Sequence, residues 1–166
     1  TSINTEMVIM LIRKARLTDS KALARLVYSL SHFYLQKESD QLPDWFVKPL
    51  TEQAFISRLH SQNYTTLICE LDSEIVGYVS MKASSHLHHL FVMEKHHGKG
   101  IARKLWESVT DMCPSDTYSL RSSMFAVPVF TKFGFEESGD VSEKEGIQFQ
   151  PMKYLDPEAE IEEEST

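Results

Sequence analysis

Apolar residues recur along this chain with two periods, and the changes between them mark out the elements. Met7 to Ala15 mixes β-branched and long apolar residues and predicts a first strand. After the capping oxygens of Thr18, Asp19 and Ser20, the residues Ala22, Leu23, Leu26, Val27 and Leu30 fall at helical spacing, which predicts a helix running to about Phe33 or Tyr34. Gln36 to Leu50 holds two prolines and the pair Trp45-Phe46, and reads as an irregular loop. Thr51 caps a second helix, Glu52 to His60, with Phe55, Ile56 and Leu59 on its apolar side. From Thr65 the period drops to two. Thr65 to Leu71 and Ile75 to Met81 read as strands joined through Asp72-Ser73-Glu74.

The fourth strand, Ser85 to Met93, has a break in phase. Leu90 and Val92 alternate, whereas Leu87 lies one residue out of step, as a β-bulge would produce. A third long helix follows the turn, with Ile101, Leu105, Val109 and Met112 on one face and Pro114 closing it. Thr117 to Leu120 reads as a strand. Ser122 or Ser123 caps a helix through Lys132, with Pro128 confined to its first turns and Gly134 ending it. Strands at Phe135 to Val141 and Ile147 to Tyr154 complete the order. The fold class is α/β of the α+β type: a mixed, largely antiparallel twisted sheet of about seven strands flanked by about four helices. One domain spans residues 7–155, with 1–6 and 156–166 as flexible tails.

Composition narrows the partners. With 42% hydrophobic and 25% charged residues a packed core is expected. A net charge of −7 argues against nucleic acid bound through a broadly basic surface, although Asp156 to Glu164 alone holds six acidic residues. The longest apolar run, Met7 to Ile12, is too short to span a bilayer, and no signal-peptide pattern appears. Cys69 and Cys113 are far apart with no C-x-x-C pair, which suits a reducing compartment. A soluble, cytoplasmic protein is expected. Cys69, within an apolar run, reads as a small buried hydrophobe.

Chemistry concentrates in His86 to Leu105. Strand, glycine turn and helix start together expose backbone N–H groups at the positive end of a helix, a site suited to phosphate. Lys95, Lys99, Arg103 and Lys104 make this the most basic stretch of an acidic chain. A kinase-type P-loop is excluded because no G-K-[ST] follows, and the dinucleotide G-x-G-x-x-G fails at Arg103.

Two segments resemble the GNAT superfamily of N-acetyltransferases. V-M-E-K-H-H-G-K-G-I-A is similar to the family's acyl-CoA signature, with Val92 at the strand position and Gly100 and Ala102 at the small positions. His97 stands where Gln or Arg is usual. Ser122 to Phe135, S-S-M-F-A-V-P-V-F-T-K-F-G-F, resembles the family's second strand-to-helix segment. The order of elements agrees from Met7 to Tyr154.

The resemblance implies acetyl-CoA as co-substrate and transfer of its acetyl group to a primary amine of a small molecule or peptide, by direct attack in a ternary complex. Backbone amides at Leu90, Phe91 and Val92 would take the pantetheine arm, and those of Gly98, Lys99, Gly100, Ile101, Ala102 and Arg103 the pyrophosphate, with His97 and Ser123 alongside. Gly98 and Gly100 are expected to keep Cβ atoms out of the ligand's way. The family's usual proton-donating tyrosine is replaced by Phe130. Departure of the thiolate unaided, donation by Tyr118, and acyl-CoA binding without catalysis follow as expectations in that order. Among His86, His88 and His89, His88 is the expected base, since a histidine titrates near neutrality. Tyr34 and Trp45, with Phe33 and Phe46, are expected at the acceptor pocket, and the acidic surface points to a cationic amine or peptide. No metal, nucleic acid or membrane is called for. Such folds commonly pair as homodimers, though no interface signal stands out.

Overall fold

A computed structural model describes residues 9–31 and 42–156. Phe33, Tyr34 and the two expected tails lie outside the described residues, Asp156 excepted. The order is β1 (Met10–Lys14), α1 (Ser20–Leu30), α2 (Asp44–Val47), α3 (Glu52–His60), β2 (Tyr64–Leu71), β3 (Glu74–Lys82), β4 (His86–Val92), α4 (Ile101–Met112), β5 (Thr117–Ser123), α5 (Val127–Lys132), β6 (Glu136–Glu137), β7 (Ser142–Lys144) and β8 (Ile147–Leu155). The strands form one sheet in the order β1-β2-β3-β4-β5-β8-β6, with β7 also on β8. Every pairing is antiparallel except that of β4 with β5. No helix of the described residues is long and apolar enough to cross a membrane.

Helices cover both faces of this sheet. On one side Leu23 and Val27 of α1 and Phe55 of α3 pack against Ile68, Tyr78 and Phe91. On the other, Ile101, Leu105 and Val109 of α4 and Phe130 of α5 meet Leu67, Val79, Leu87 and Leu120. The central strand β3 is therefore buried from Val76 to Met81 on both faces. Thr51 caps α3 as expected, its Oγ1 accepting the Ala54 amide at 3.2 Å. Cys69 is fully buried in the core, where burial pushes its thiol pKa up. At the β1–α1 corner Arg13 bridges Asp19 (2.9 Å) and Glu70 (2.7 Å). Its hydrogen bond holds the Asp19 carboxyl below the usual carboxylate range.

Three boundaries differ from expectation. Residues 44–47 of the expected irregular loop form α2. β5 runs on to Ser123, whose Oγ accepts the Ala126 amide at 3.2 Å, so α5 starts only at Val127 and Pro128 falls in its first turn. Of the expected strand Phe135–Val141 only Glu136–Glu137 is extended, as β6, and β7 begins beyond it at Ser142. Opposite the break sits Pro151, which has no N–H to continue a ladder, and Gln150 secures the detour by donating to the Gly139 carbonyl at 2.8 Å.

Candidate active site

β4 and β5 are joined by two rungs, His86 with Ser119 and Leu87 with Leu120, after which they part. β4 continues to Val92 and β5 to Ser123, so the strands diverge as the arms of a V. Between them lies a groove of about 520 Å³ walled by residues 87–92 and 120–123. A bulge helps to set this divergence. Ser80 faces His89 and Met81 faces Leu87, which leaves His88 as the extra residue. Leu87 and Leu90, three apart, consequently pack towards the same core, as their phase in the sequence implied.

The groove runs onto the turn after β4. Gly98 (φ +79°) and Gly100 (φ +80°) both lie in the left-handed region, and a Cβ built on either meets no atom of the described chain within 4 Å. Their conformation, then, is what demands glycine within the chain itself. Gly100 is the N-cap of α4, and no side chain caps the helix. The amides of Gly98 to Arg103 find no acceptor among the described residues, which leaves them open to water or to an anion. His97 pins the turn to the strand: its Nε2 donates to the Val92 carbonyl at 2.6 Å. Arg103 ties α4 to α5, donating to the Lys132 carbonyl at 3.1 Å and lying 4.9 Å over the Phe133 ring. Leu90, Phe91, Val92, His97, Gly98, Gly100, Ile101, Ala102, Arg103 and Ser123 all line the groove. Lys99 does not; its Nζ lies 3.0 Å from His96 Nδ1.

His88 lines the same groove, stacked on His89 at 4.0 Å and edge-on to Tyr64 at 5.3 Å. Its Nε2 is buried and has no hydrogen-bond partner among the described residues. Burial, followed by the nearby charges of Arg58, His86 and Lys82, pushes its pKa down to about 4. His89 is driven well below its ordinary value by burial and bonds the Tyr78 hydroxyl through Nδ1. His86 is lowered by burial too and lies 2.9 Å from the Ser119 hydroxyl. All three are therefore neutral at pH 7. Among the described residues no set of three His, Cys, Asp or Glu is placed to hold a metal ion.

Tyr118 is not brought to the groove. It faces a separate depression beside Trp106 and Tyr154, and its hydroxyl donates to the Cys113 carbonyl at 2.5 Å. Position along β5 explains this: Tyr118 precedes the first rung at Ser119, whereas the groove is lined only from Leu120 onward. Phe130 does line the groove, held against Phe133 and Phe135, and offers no proton there. Trp45 lies outside the groove lining; its indole N–H donates to Glu145 at 3.0 Å, and Lys144 lies 4.5 Å over the ring. Sequence reasoning missed Arg121, which lines the groove. Its alternation with Leu120 and Ser122, both buried, was the available signal.

Comparison with known proteins agrees with this geometry. Residues 34–155 match the family described as an acetyltransferase (GNAT) domain. A GCN5-related N-acetyltransferase from Rhodopseudomonas palustris superposes with a TM-score of 0.70 at 20% identity, covering 92% of this chain and 99% of that one. PaiA N-acetyltransferase from Thermoplasma acidophilum, solved in complex with coenzyme A, gives 0.70 at 16% identity, covering 89% and 99%. A GNAT-family acetyltransferase from Staphylococcus aureus gives 0.69 at 17% identity over the same shares. Among curated protein sequences none matches. The structural likeness at these identities speaks for the fold, while the family match spans well over half of the sequence: the chain belongs to the GNAT family of acetyl-CoA-dependent acetyltransferases.

Proposed function

We propose that this protein transfers the acetyl group of acetyl-CoA to a primary amine of a small molecule or peptide, by direct attack in a ternary complex. The observation that carries this reading is the two-rung joint between β4 and β5, opening into a groove that ends on an uncapped helix start. The pantetheine arm would lie along β4 from Leu90 to Val92, and the pyrophosphate would take the amides of Gly98 to Arg103. Residues of both strands would exclude water from the thioester. Two free, buried cysteines support a reducing compartment such as the cytoplasm.

In the reaction the amine nitrogen bonds to the thioester carbon, charge gathers on the carbonyl oxygen beside the amides of β4, and the C–S bond then breaks. His88 Nε2 accepts a hydrogen bond from the attacking amine, which satisfies an otherwise orphaned buried atom. With a pKa of about 4 it orients the amine rather than storing its proton. Taking a proton from a free ammonium of pKa ~10 would be uphill by roughly 8 kcal/mol. The ammonium instead loses its proton to bulk solvent before attack, at a cost of about 4 kcal/mol at pH 7, and the second amine proton leaves to solvent as the C–S bond breaks. The thiol, with a pKa near ~8.5, leaves as thiolate, so Phe130 in place of a donor is compatible with turnover.

Thiol release from acetyl-CoA with a panel of amines tests the proposal. Amine-dependent release is expected, and His88→Ala should lower kcat by about 10–100-fold while calorimetry shows unchanged CoA affinity. Tight CoA binding with no amine raising the rate would instead identify an acyl-CoA-binding module without catalysis.

A further inference from the structure

Cations gather around the end of the groove beside His88, in a chain of net charge −7. Arg121, one residue past the last rung shared by β4 and β5, lines the groove and lies 4.8 Å over the Phe149 ring. Lys82 faces His86 across β3 and β4, with its ammonium 6.0 Å from the Tyr64 ring. Tyr64 in turn meets His88. Arg58 on α3 lies 4.7 Å over Phe55 and donates to the Pro49 carbonyl at 2.6 Å. Phe55 abuts Tyr78, the hydrogen-bond partner of His89. Three cations thus surround the histidines from three elements. Among the described residues none has a carboxylate partner, the ion pairs there being those of Arg13 and Lys95. Their charges reach the site: after burial, Arg58 and Lys82 depress His88, Lys82 and Arg121 depress His86, and no carboxylate opposes them. Arg58 is itself partly desolvated, its pKa lowered by burial, and a cation so placed is stabilised by an anion brought to it.

We propose that the acceptor is a small molecule bearing a carboxylate as well as its primary amine. Arg121 receives the carboxylate where the two strands part, while Arg58 and Lys82 supply the surrounding positive field. A guanidinium matches a carboxylate through paired hydrogen bonds, and holding that end would aim the amine at His88 Nε2. The same field repels a dication such as 1,4-diaminobutane, so selection works in both senses. This deepens the transferase reading and rests on it.

The test is steady-state thiol release with glycine, β-alanine and 4-aminobutyrate, each against its carboxamide, with 1,4-diaminobutane as the opposite case. For the acid of best-fitting length, KM should lie about tenfold or more below that of its amide, and the number of methylenes reads the spacing from Arg121 to the acetyl group. Arg121→Gln should collapse the acid's advantage to near unity, and Arg121→Lys should restore part of it. Arg121 is exposed, so these variants are expected to fold, and Arg58→Gln provides an independent second reading. Equal KM for acid and amide, a diamine preferred over both, or an advantage untouched in both glutamine variants overturns the carboxylate assignment and leaves the transferase standing. Silence across the whole panel and across peptides bearing a primary amine, with CoA still bound, overturns the transferase reading and this inference together.

Discussion

At the scale of single residues, the glycine turn after β4 illustrates how one residue type can answer two separate demands. Gly98 and Gly100 were expected to leave room for a ligand. Within the described chain there is room for a Cβ at both, and their positive φ is what excludes other residues. The two requirements separate by substitution. Gly100→Ala adds backbone strain of about 1–2 kcal/mol alone, whereas Gly100→Glu also places a carboxylate where a pyrophosphate would sit. Calorimetry should show CoA affinity at least about tenfold weaker for the glutamate than for the alanine variant. Equal affinities would put the pyrophosphate elsewhere. Phe130 was legible as a departure from the family, since one position in a motif can be read directly. That Tyr118 falls short of the groove was hidden, because it depends on where β5 pairs with β4.

At the scale of elements, α4 rests on β3 through a position that nothing in the sequence singles out. A Cβ on Gly77 would approach the Phe91 carbonyl to 3.0 Å and a Leu105 methyl to 3.2 Å. Gly77→Val should overpack this contact at a cost of about 1–3 kcal/mol. A thermal melt should fall by about 2–4 °C per kcal/mol, and CoA binding should weaken with it, because α4 carries the uncapped amides. An unchanged melting point would mean that the helix yields freely. The bulge in β4 was legible from Leu87 against Leu90 and Val92, since the pleat's period of two tolerates no slip without turning side chains over. The early end of β6 was legible only in part. Ser138-Gly139-Asp140 carries a turn signal, whereas Pro151, which cannot continue the ladder, sits in the partner strand outside any local pattern.

At the scale of the whole molecule, the buried histidines set how the protein meets acid. A histidine held below its ordinary pKa of ~6.5 contributes stability that is full above that value and lost as pH falls towards the folded value. For His88, folded pKa about 4, the loss over that interval is roughly 3 kcal/mol, and His89 adds to it. Asp19, depressed by Arg13, follows at lower pH, because its contribution is present above the unfolded carboxylate range and lost as pH falls through its folded value. Denaturant midpoints at pH 7, 5 and 3.5 should therefore fall in two stages, with His88→Asn flattening the first. A midpoint constant from pH 7 to 5 would contradict the burial of the pair. Net charge was readable and misleading here: −7 describes the sum, in which Asp156 to Glu164 weighs heavily, while Arg58, Lys82 and Arg121 meet only in the fold. Finally, the two rungs between β4 and β5 make a narrow seam. A pantetheine arm laid into the opening would act as a strand that the polypeptide itself does not encode, stitching β1–β4 to β5–β8. The co-substrate would then be a piece of the architecture, and each turnover would part-unzip the sheet and close it again.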